Sequence, residues 1–143
     1  LLKYGVSQIS AGSSTGVGGY KEREAGVDVK QFKTNDERSP LEILKELLDD
    51  GYIPSYFTAC YRSGRTGDRF MELAKSGEIK YVCEPNALMT LLEFSLDYGD
   101  KEIYEKSLET INREIEKIER EDLRNYTKES MEKMKKGERD FYV

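Results

Sequence analysis

The sequence contains no histidine and only two cysteines, Cys60 and Cys83. Without histidine, the chain alone supplies no His acid–base catalyst, no Ser–His or Cys–His nucleophile pair and no His metal ligand. Two cysteines are too few to build a disulfide scaffold in a chain of 143 residues. We therefore expect a reducing environment, with the cytoplasm as the default location.

Long apolar runs and an excess of positive charge are also absent. The longest apolar-rich window, residues 87–96, is interrupted by Thr90, Glu93 and Ser95, and it is shorter than the roughly 18 residues of a membrane span. The 23 basic residues are outnumbered by 28 acidic ones, whereas nucleic-acid-binding domains are usually basic. The sequence thus predicts neither a membrane span nor a nucleic-acid partner.

What is present is enough to build a packed core. Aromatic side chains make up 10% of the chain, although charged residues reach 36%, so intrinsic disorder is not expected. The chain lacks an initiator methionine and opens directly on an apolar-rich strand pattern. We therefore expect a fragment of a longer polypeptide.

Hydrophobic patterning predicts a mainly helical chain with a few short strands, an α+β class. Short strands are predicted at residues 2–10, 29–32, 52–57 and 79–82. Helices are predicted from Pro40 to Gly51, over residues 68–75 and 85–98, from Asp100 to about Ile118, and over about residues 128–135.

Local signals fix some of these helices and the core. Ser39 and Glu42 form a capping box with Pro40 at the first helical position, and Gly51 ends that helix. The helix over residues 85–98 is apolar on most sides, so it should be the central buried helix. The predicted core consists of Leu88, Leu91, Leu92 and Phe94, packed by Leu44, Leu47, Ile103, Leu108 and Ile111.

A glycine-rich stretch, residues 11–20, follows the first predicted strand. Its spacing, Gly12-x3-Gly16-x-Gly18-Gly19, either offers backbone N–H groups to a phosphate or carboxylate or forms a turn between elements. It has neither the Gly-Lys-Ser/Thr ending of a P-loop nor the Rossmann spacing.

The two cysteines and the loop between them also allow two interpretations. Thiolates bind soft metals and iron–sulfur clusters, whereas a lone cysteine is often a small buried apolar side chain. The loop after Cys60 carries Arg62 and Arg65. These arginines either bind an anion or form salt bridges with Asp68 or Glu72.

Several separated motifs resemble one enzyme family. Residues 5–13, 16–20 and 31–32 resemble the end of the barrel in the radical S-adenosylmethionine tyrosine lyases. Residues 51–55, 58–62, 64–67 and 70–71, the word Cys83-x-Pro85-Asn86-Ala87-Leu88, and residues 137–142 are similar to the C-terminal region of the HydG family, which matures FeFe-hydrogenase. The related thiamine-synthesis enzyme ThiH shares the first motifs and matches less well around the cysteines.

This resemblance implies a fold, cofactors and partners. Residues 1–30 would be the last strand and glycine-rich loop of a TIM-type radical S-adenosylmethionine barrel, and residues 31–143 a helical C-terminal auxiliary-cluster domain. The whole enzyme cleaves S-adenosylmethionine at a 4Fe-4S cluster in the barrel and converts tyrosine into p-cresol and dehydroglycine. At the auxiliary 4Fe-4S cluster, dehydroglycine then yields carbon monoxide and cyanide. The implied partners are the N-terminal barrel portion and other hydrogenase maturation proteins.

The resemblance also implies site residues. The family holds its auxiliary cluster with the pattern Cys-x2-Cys-x22-Cys, and Cys60 and Cys83 match its second and third positions. Phe57 occupies the first position, and phenylalanine cannot ligate iron. The cysteines of the barrel cluster are not in this chain, so it should be inactive alone.

Four further residues are expected to bind cofactor or substrate. Ser10 and Ser13 would lie at the C-terminal end of the last barrel strand, where barrel enzymes place substrate-contacting groups; otherwise they cap the turn. Arg62 and Arg65 would contact anions at the auxiliary cluster. The alternative function is a cluster-free structural or interaction module that caps the barrel or docks a maturation partner.

Overall fold

The computed structural model describes residues 2–4, 9, 38–56 and 68–143. Within these residues there are five α-helices and no strand. The helices are α1 (Pro40–Asp49), α2 (Asp68–Ser76), α3 (Ile79–Tyr98), α4 (Lys101–Ile115) and α5 (Glu121–Lys135). The chain divides into two compact units, Leu1–Ile43 and Leu44–Val143. The mainly helical class is confirmed.

Both ends of α1 form as the sequence predicts. The Ser39 N–H donates to the Glu42 carboxylate at 2.7 Å, and the Glu42 N–H donates to the Ser39 hydroxyl at 3.3 Å, which is the expected capping box. At the other end, Gly51 has φ +80°. The Tyr52 N–H reaches back to the Leu47 carbonyl at 2.8 Å, as in a Schellman motif.

Helix α3 is the centre of the second unit. It packs against α4 and α5, and α2 contacts it as well. Leu88, Met89, Leu91 and Leu92 are fully buried, so the prediction of a central buried helix is confirmed. The predicted core residues Leu44, Ile103 and Ile111 are also buried. Phe94, Leu47 and Leu108 are only half-buried.

Helix α3 begins six residues earlier than predicted, so the predicted strand over residues 79–82 is wrong. Val82, Pro85 and Met89 are buried at helical spacing, and this stripe extends the apolar face toward Ile79. A short apolar run does not by itself distinguish a strand from a buried helical turn. A proline inside a helix removes one backbone hydrogen bond and crowds the preceding turn, and Pro85 is nevertheless accommodated and buried within α3.

Two further strand predictions are not met at the residues that the structure describes. Leu2–Tyr4 forms a 3-10 turn rather than the start of a strand, and residues 52–56 form no regular element. A strand requires a neighbour that satisfies its backbone N–H and C=O groups, and no described segment pairs with these residues. The predicted strand at 29–32 lies outside the described residues. Residues 5–8 and 10 of the predicted barrel strand also lie outside the described residues, so the rest of that strand and the division at residues 30/31 remain predictions.

The helices after Gly99 differ from the prediction in their bounds. The Asp100 side chain accepts the Ile103 N–H at 2.9 Å and caps α4, as expected. Helix α4 stops at Ile115, however, and a turn precedes α5. Ile118 is buried from within that turn, which made the apolar periodicity look continuous. Helix α5 starts at Glu121, earlier than predicted. The prediction rested on Met131 and Met134 alone, whereas Leu123 and the small polar Thr127 are also buried on this helix.

Candidate metal-ligand site

Cys83 is the one predicted site residue that the structure describes. It lies in the second turn of α3 and is exposed. Its neighbours Val82 and Pro85 are buried, so the core anchors the helix while the cysteine faces the surface. A cysteine on an anchored helix has a fixed backbone and an accessible thiol, as a metal ligand requires.

The other candidates lie outside the described residues. These are Ser10, Ser13, Cys60, Arg62 and Arg65, together with Phe57. The structure therefore does not test whether they meet Cys83, and their roles remain predictions. Among the described residues, no three His, Cys, Asp or Glu side chains are close enough together to hold a metal ion.

Asn86, one helical turn after Cys83, is a polar residue whose importance the sequence did not reveal. It is only 2% exposed. Its Oδ1 accepts the Val143 N–H at 2.8 Å. Its Nδ2 is buried and has no hydrogen-bond partner within the part of the chain that the structure describes. Buried polar groups are nearly always satisfied, so this unmet donor needs an explanation.

The carboxy-terminal tail, residues 137–143, brings Val143 to Asn86. Gly137 has φ +104°, and the Glu138 N–H donates to the Lys133 carbonyl at 3.1 Å, which ends α5. The Asp140 N–H then donates to the Glu93 carboxylate at 3.0 Å. The tail thus turns back from α5 and contacts α3.

Two side chains hold this tail in place. Arg139 binds the Asp97 carboxylate, with Nη2 at 2.7 Å from Oδ1, and also donates to the Met134 carbonyl at 2.9 Å. The bond from Arg139 lowers the pKa of Asp97. The Tyr126 hydroxyl donates to the Tyr142 carbonyl at 3.1 Å. The tail is therefore fixed to both α3 and α5.

A cleft of about 170 Å³ lies between the start of α3 and the α4–α5 turn. It is lined by Lys80, Tyr81, Glu84, Lys117, Ile118, Glu119 and Arg120. Burial raises the pKa of Glu84, and the nearby carboxylate of Glu114 raises it further. Arg120 forms an ion pair with Glu78 at 3.1 Å. Charges of both signs line the cleft, so it selects no ligand by charge alone.

A comparison with solved structures finds a protein that is similar to this chain. The crystal structure of HydG, a maturase of the FeFe-hydrogenase, matches 99% of this chain with a TM-score of 0.85 and 50% sequence identity. The chain is similar to HydG. The resemblance that the sequence motifs indicated is thereby confirmed. No family model matches the chain, and no curated protein matches it.

The chain spans 30% of the length of the HydG chain that it matches. Most of HydG therefore has no counterpart within these 143 residues. No described helix of this HydG-like chain is long and apolar enough to cross a membrane.

Proposed function

We propose that this chain is the auxiliary-cluster segment of a HydG-like tyrosine lyase, with Cys60 and Cys83 as cysteine ligands of an auxiliary 4Fe-4S cluster. The observation that carries the proposal is the 50% identity to HydG over 99% of the chain. The exposed Cys83 on the anchored helix α3 supports it. The whole enzyme would make carbon monoxide and cyanide from tyrosine for hydrogenase assembly.

The described residues fit one corner of such a cluster. Thiolates are the usual ligands of iron–sulfur clusters, and Cys83 offers an accessible thiol. Cys60 would provide a second thiolate, while Phe57 provides none. The chain's own cysteines therefore hold two irons at most, and the remaining irons need ligands from outside these cysteines. When bound, the cluster would supply iron that binds small anions.

The other predicted residues have supporting roles in this proposal. Arg62 and Arg65 would place positive charge beside the anionic cluster, which favours its retention. Ser10 and Ser13 would line the cavity at the end of the barrel. The barrel itself, with S-adenosylmethionine and its own 4Fe-4S cluster, and the hydrogenase maturation proteins would be partners of this segment.

Anaerobic reconstitution with iron and sulfide tests the proposal. We expect the parent chain to bind both elements and Cys83→Ser and Cys60→Ser each to bind less. Phe57→Cys should raise the iron content, because it restores the third family cysteine. Phe57→Ser is the matched control, since it removes the same ring without adding a thiol. A parent chain that binds no iron, with Phe57→Cys equal to Phe57→Ser, would contradict the cluster proposal.

The alternative is a cluster-free module that docks a partner. Phe57 at a ligand position favours it, and so does a row of aromatic rings formed by Tyr56 and two residues of α3. Tyr56 stacks on Phe94 with ring centres 4.9 Å apart, and Phe94 lies 5.2 Å from Tyr98. Tyr98 is 69% exposed. Under this alternative, Tyr98→Ser would weaken binding to the barrel portion while iron content stays at zero in every variant.

A further inference from the structure

We infer that Asn86 is a positioning residue whose amide N–H donates to the metal–thiolate site at Cys83, and that the carboxy-terminal tail holds the amide in that orientation. The inference rests on the proposed function, because the acceptor is sulfur of the cluster or of its cysteine ligand. Asn86 itself is not one of the proposed cysteine ligands.

The tail follows one stripe of α3 that leads to Cys83. Arg139 contacts Asp97, Asp140 contacts Glu93, and Val143 contacts Asn86. The positions 97, 93 and 86 share one face of the helix, and they span about 16 Å along its axis. Cys83 lies three residues before Asn86, so it is the next position on the same stripe. The tail thus reaches α3 one turn from the candidate ligand.

The tail also decides which way the Asn86 amide faces. The oxygen and nitrogen of an asparagine amide are distinguished by the partners that they contact. The Val143 backbone N–H is a donor, so the atom facing it must be the acceptor Oδ1, 2.8 Å away. This contact leaves Nδ2 on the other side of the amide, buried and without an acceptor among the described residues.

Helix geometry directs this side chain toward Cys83. Side chains of an α-helix lean toward its N-terminus, so the Asn86 side chain leans toward the turn that holds Cys83. The Cβ atoms of residues three apart lie about 5–6 Å from each other. Sulfur bound to iron is a hydrogen-bond acceptor, and hydrogen bonds to sulfur help to set the reduction potential of a cluster. Cluster sulfur at Cys83 would therefore satisfy the buried donor.

Two substitutions separate the donor from the contact with the tail. Asn86→Asp keeps an oxygen for the Val143 N–H and removes the donor. Asn86→Leu removes both groups and retains the approximate volume. Ser107→Ala is the matched control, because Ser107 Oγ, on α4, is the other described side-chain atom that is buried without a partner.

The test uses the 143-residue chain reconstituted anaerobically with iron and sulfide. The midpoint potential of the cluster is measured by a redox titration monitored by electron paramagnetic resonance, and cluster loss is measured against an iron chelator. We expect both Asn86 variants to shift the potential to more negative values, since a hydrogen bond to sulfur stabilises the reduced cluster. Asn86→Leu should also lower resistance to the chelator by about 10–100-fold. Ser107→Ala should change neither.

Hydrogen exchange of the tail distinguishes a positioning role of Asn86 from a general role of this residue in packing. In Asn86→Asp the amides of residues 140–143 should stay as protected as in the parent, whereas in Asn86→Leu they should exchange faster. If both Asn86 variants bind a cluster with the parent's potential, the inference is overturned while the proposed function stands. If the parent binds no cluster, the proposed function falls, and the inference falls with it.

Discussion

Arg139 and Asp97 join the carboxy-terminal tail to the last turn of α3. Two nitrogens of Arg139, Nη2 and Nε, lie 2.7 Å and 3.0 Å from the same oxygen of Asp97, Oδ1. The residues are 42 positions apart, so this contact closes a long loop of chain. An arginine that binds a carboxylate through two nitrogens fixes direction as well as distance.

Replacing Arg139 by methionine should loosen the tail. The substitution removes the contact with Asp97 and the bond to the Met134 carbonyl while retaining most of the apolar stem. Because the pair is solvent-accessible, we expect a small loss of global stability and a clear rise in hydrogen exchange over residues 139–143. Lys135→Met is the control: Lys135 pairs with Glu132 within α5, so its loss should leave the tail protected. Equal exchange in both variants would argue against this attachment.

Lowering the pH should break the contact between Arg139 and Asp97 and so loosen the tail. The Arg139 bond lowers the pKa of Asp97, so the folded state holds the ionised form more strongly than the unfolded state does. The stabilisation is therefore complete above the ordinary aspartate pKa of about 3.9, and it is lost as pH falls through the lowered value. The side-chain Nε–H resonance of Arg139, which donates to Asp97, should report this transition when it is followed by NMR down to about pH 2. In Asp97→Asn the corresponding step should vanish.

Local signals explain which helix bounds the sequence predicted. Ser39 and Glu42 cap α1, and Gly51 ends it, through contacts within a few residues of each other. Such contacts depend on residue type and spacing alone. Ile118 misled the prediction because a residue in a turn can be buried beside a helix and extend its apparent periodicity.

The candidate site also contains one residue that the sequence reveals and one that only the fold reveals. Cys83 was predicted as a cluster ligand from its chemistry and its motif. It is exposed on α3, and its role as a ligand stays a prediction. Asn86 stands in the same motif, yet its partner Val143 is 57 positions away. No local pattern shows that a tail returns to this turn, since the return depends on the packing of α5 against α3. The role of Asn86 could be inferred only from the folded chain.

The buried centre of α3 should respond strongly to truncation. Leu91 is fully buried, so Leu91→Ala removes buried apolar surface and leaves a cavity. We expect a loss of about 2–5 kcal/mol in the free energy of unfolding, measured by urea denaturation. Met71→Ala is the control, because Met71 is 48% exposed and should cost well under about 1 kcal/mol. A similar cost for both would show that Leu91 does not lie in the core.

Two glycines beside α3 should respond differently to alanine. Gly99 joins α3 to α4 with φ −76°, which any residue adopts. A Cβ there would lie 2.5 Å from the Ser95 carbonyl oxygen and 3.0 Å from Ile103 Cγ2. The oxygen belongs to the backbone, so the clash is relieved only if the corner between the helices shifts. Gly77 has φ +79°, and a Cβ added there would meet no atom within 4 Å among the described residues, so alanine at this position meets backbone strain alone.

We therefore expect Gly99→Ala to cost about 3 kcal/mol, the upper part of the range for overpacking, and Gly77→Ala about 1–2 kcal/mol. The position of the amides that exchange faster is a more specific test than the size of the stability loss. A shifted corner would move Asp100 away from the Ile103 N–H that it caps, so amides in the first turn of α4 should exchange faster in Gly99→Ala. In Gly77→Ala these amides should keep the parent's protection, because Gly77 precedes α3 at its opposite end. Unchanged exchange at Ile103 in Gly99→Ala would mean that the corner accommodates a methyl group without moving.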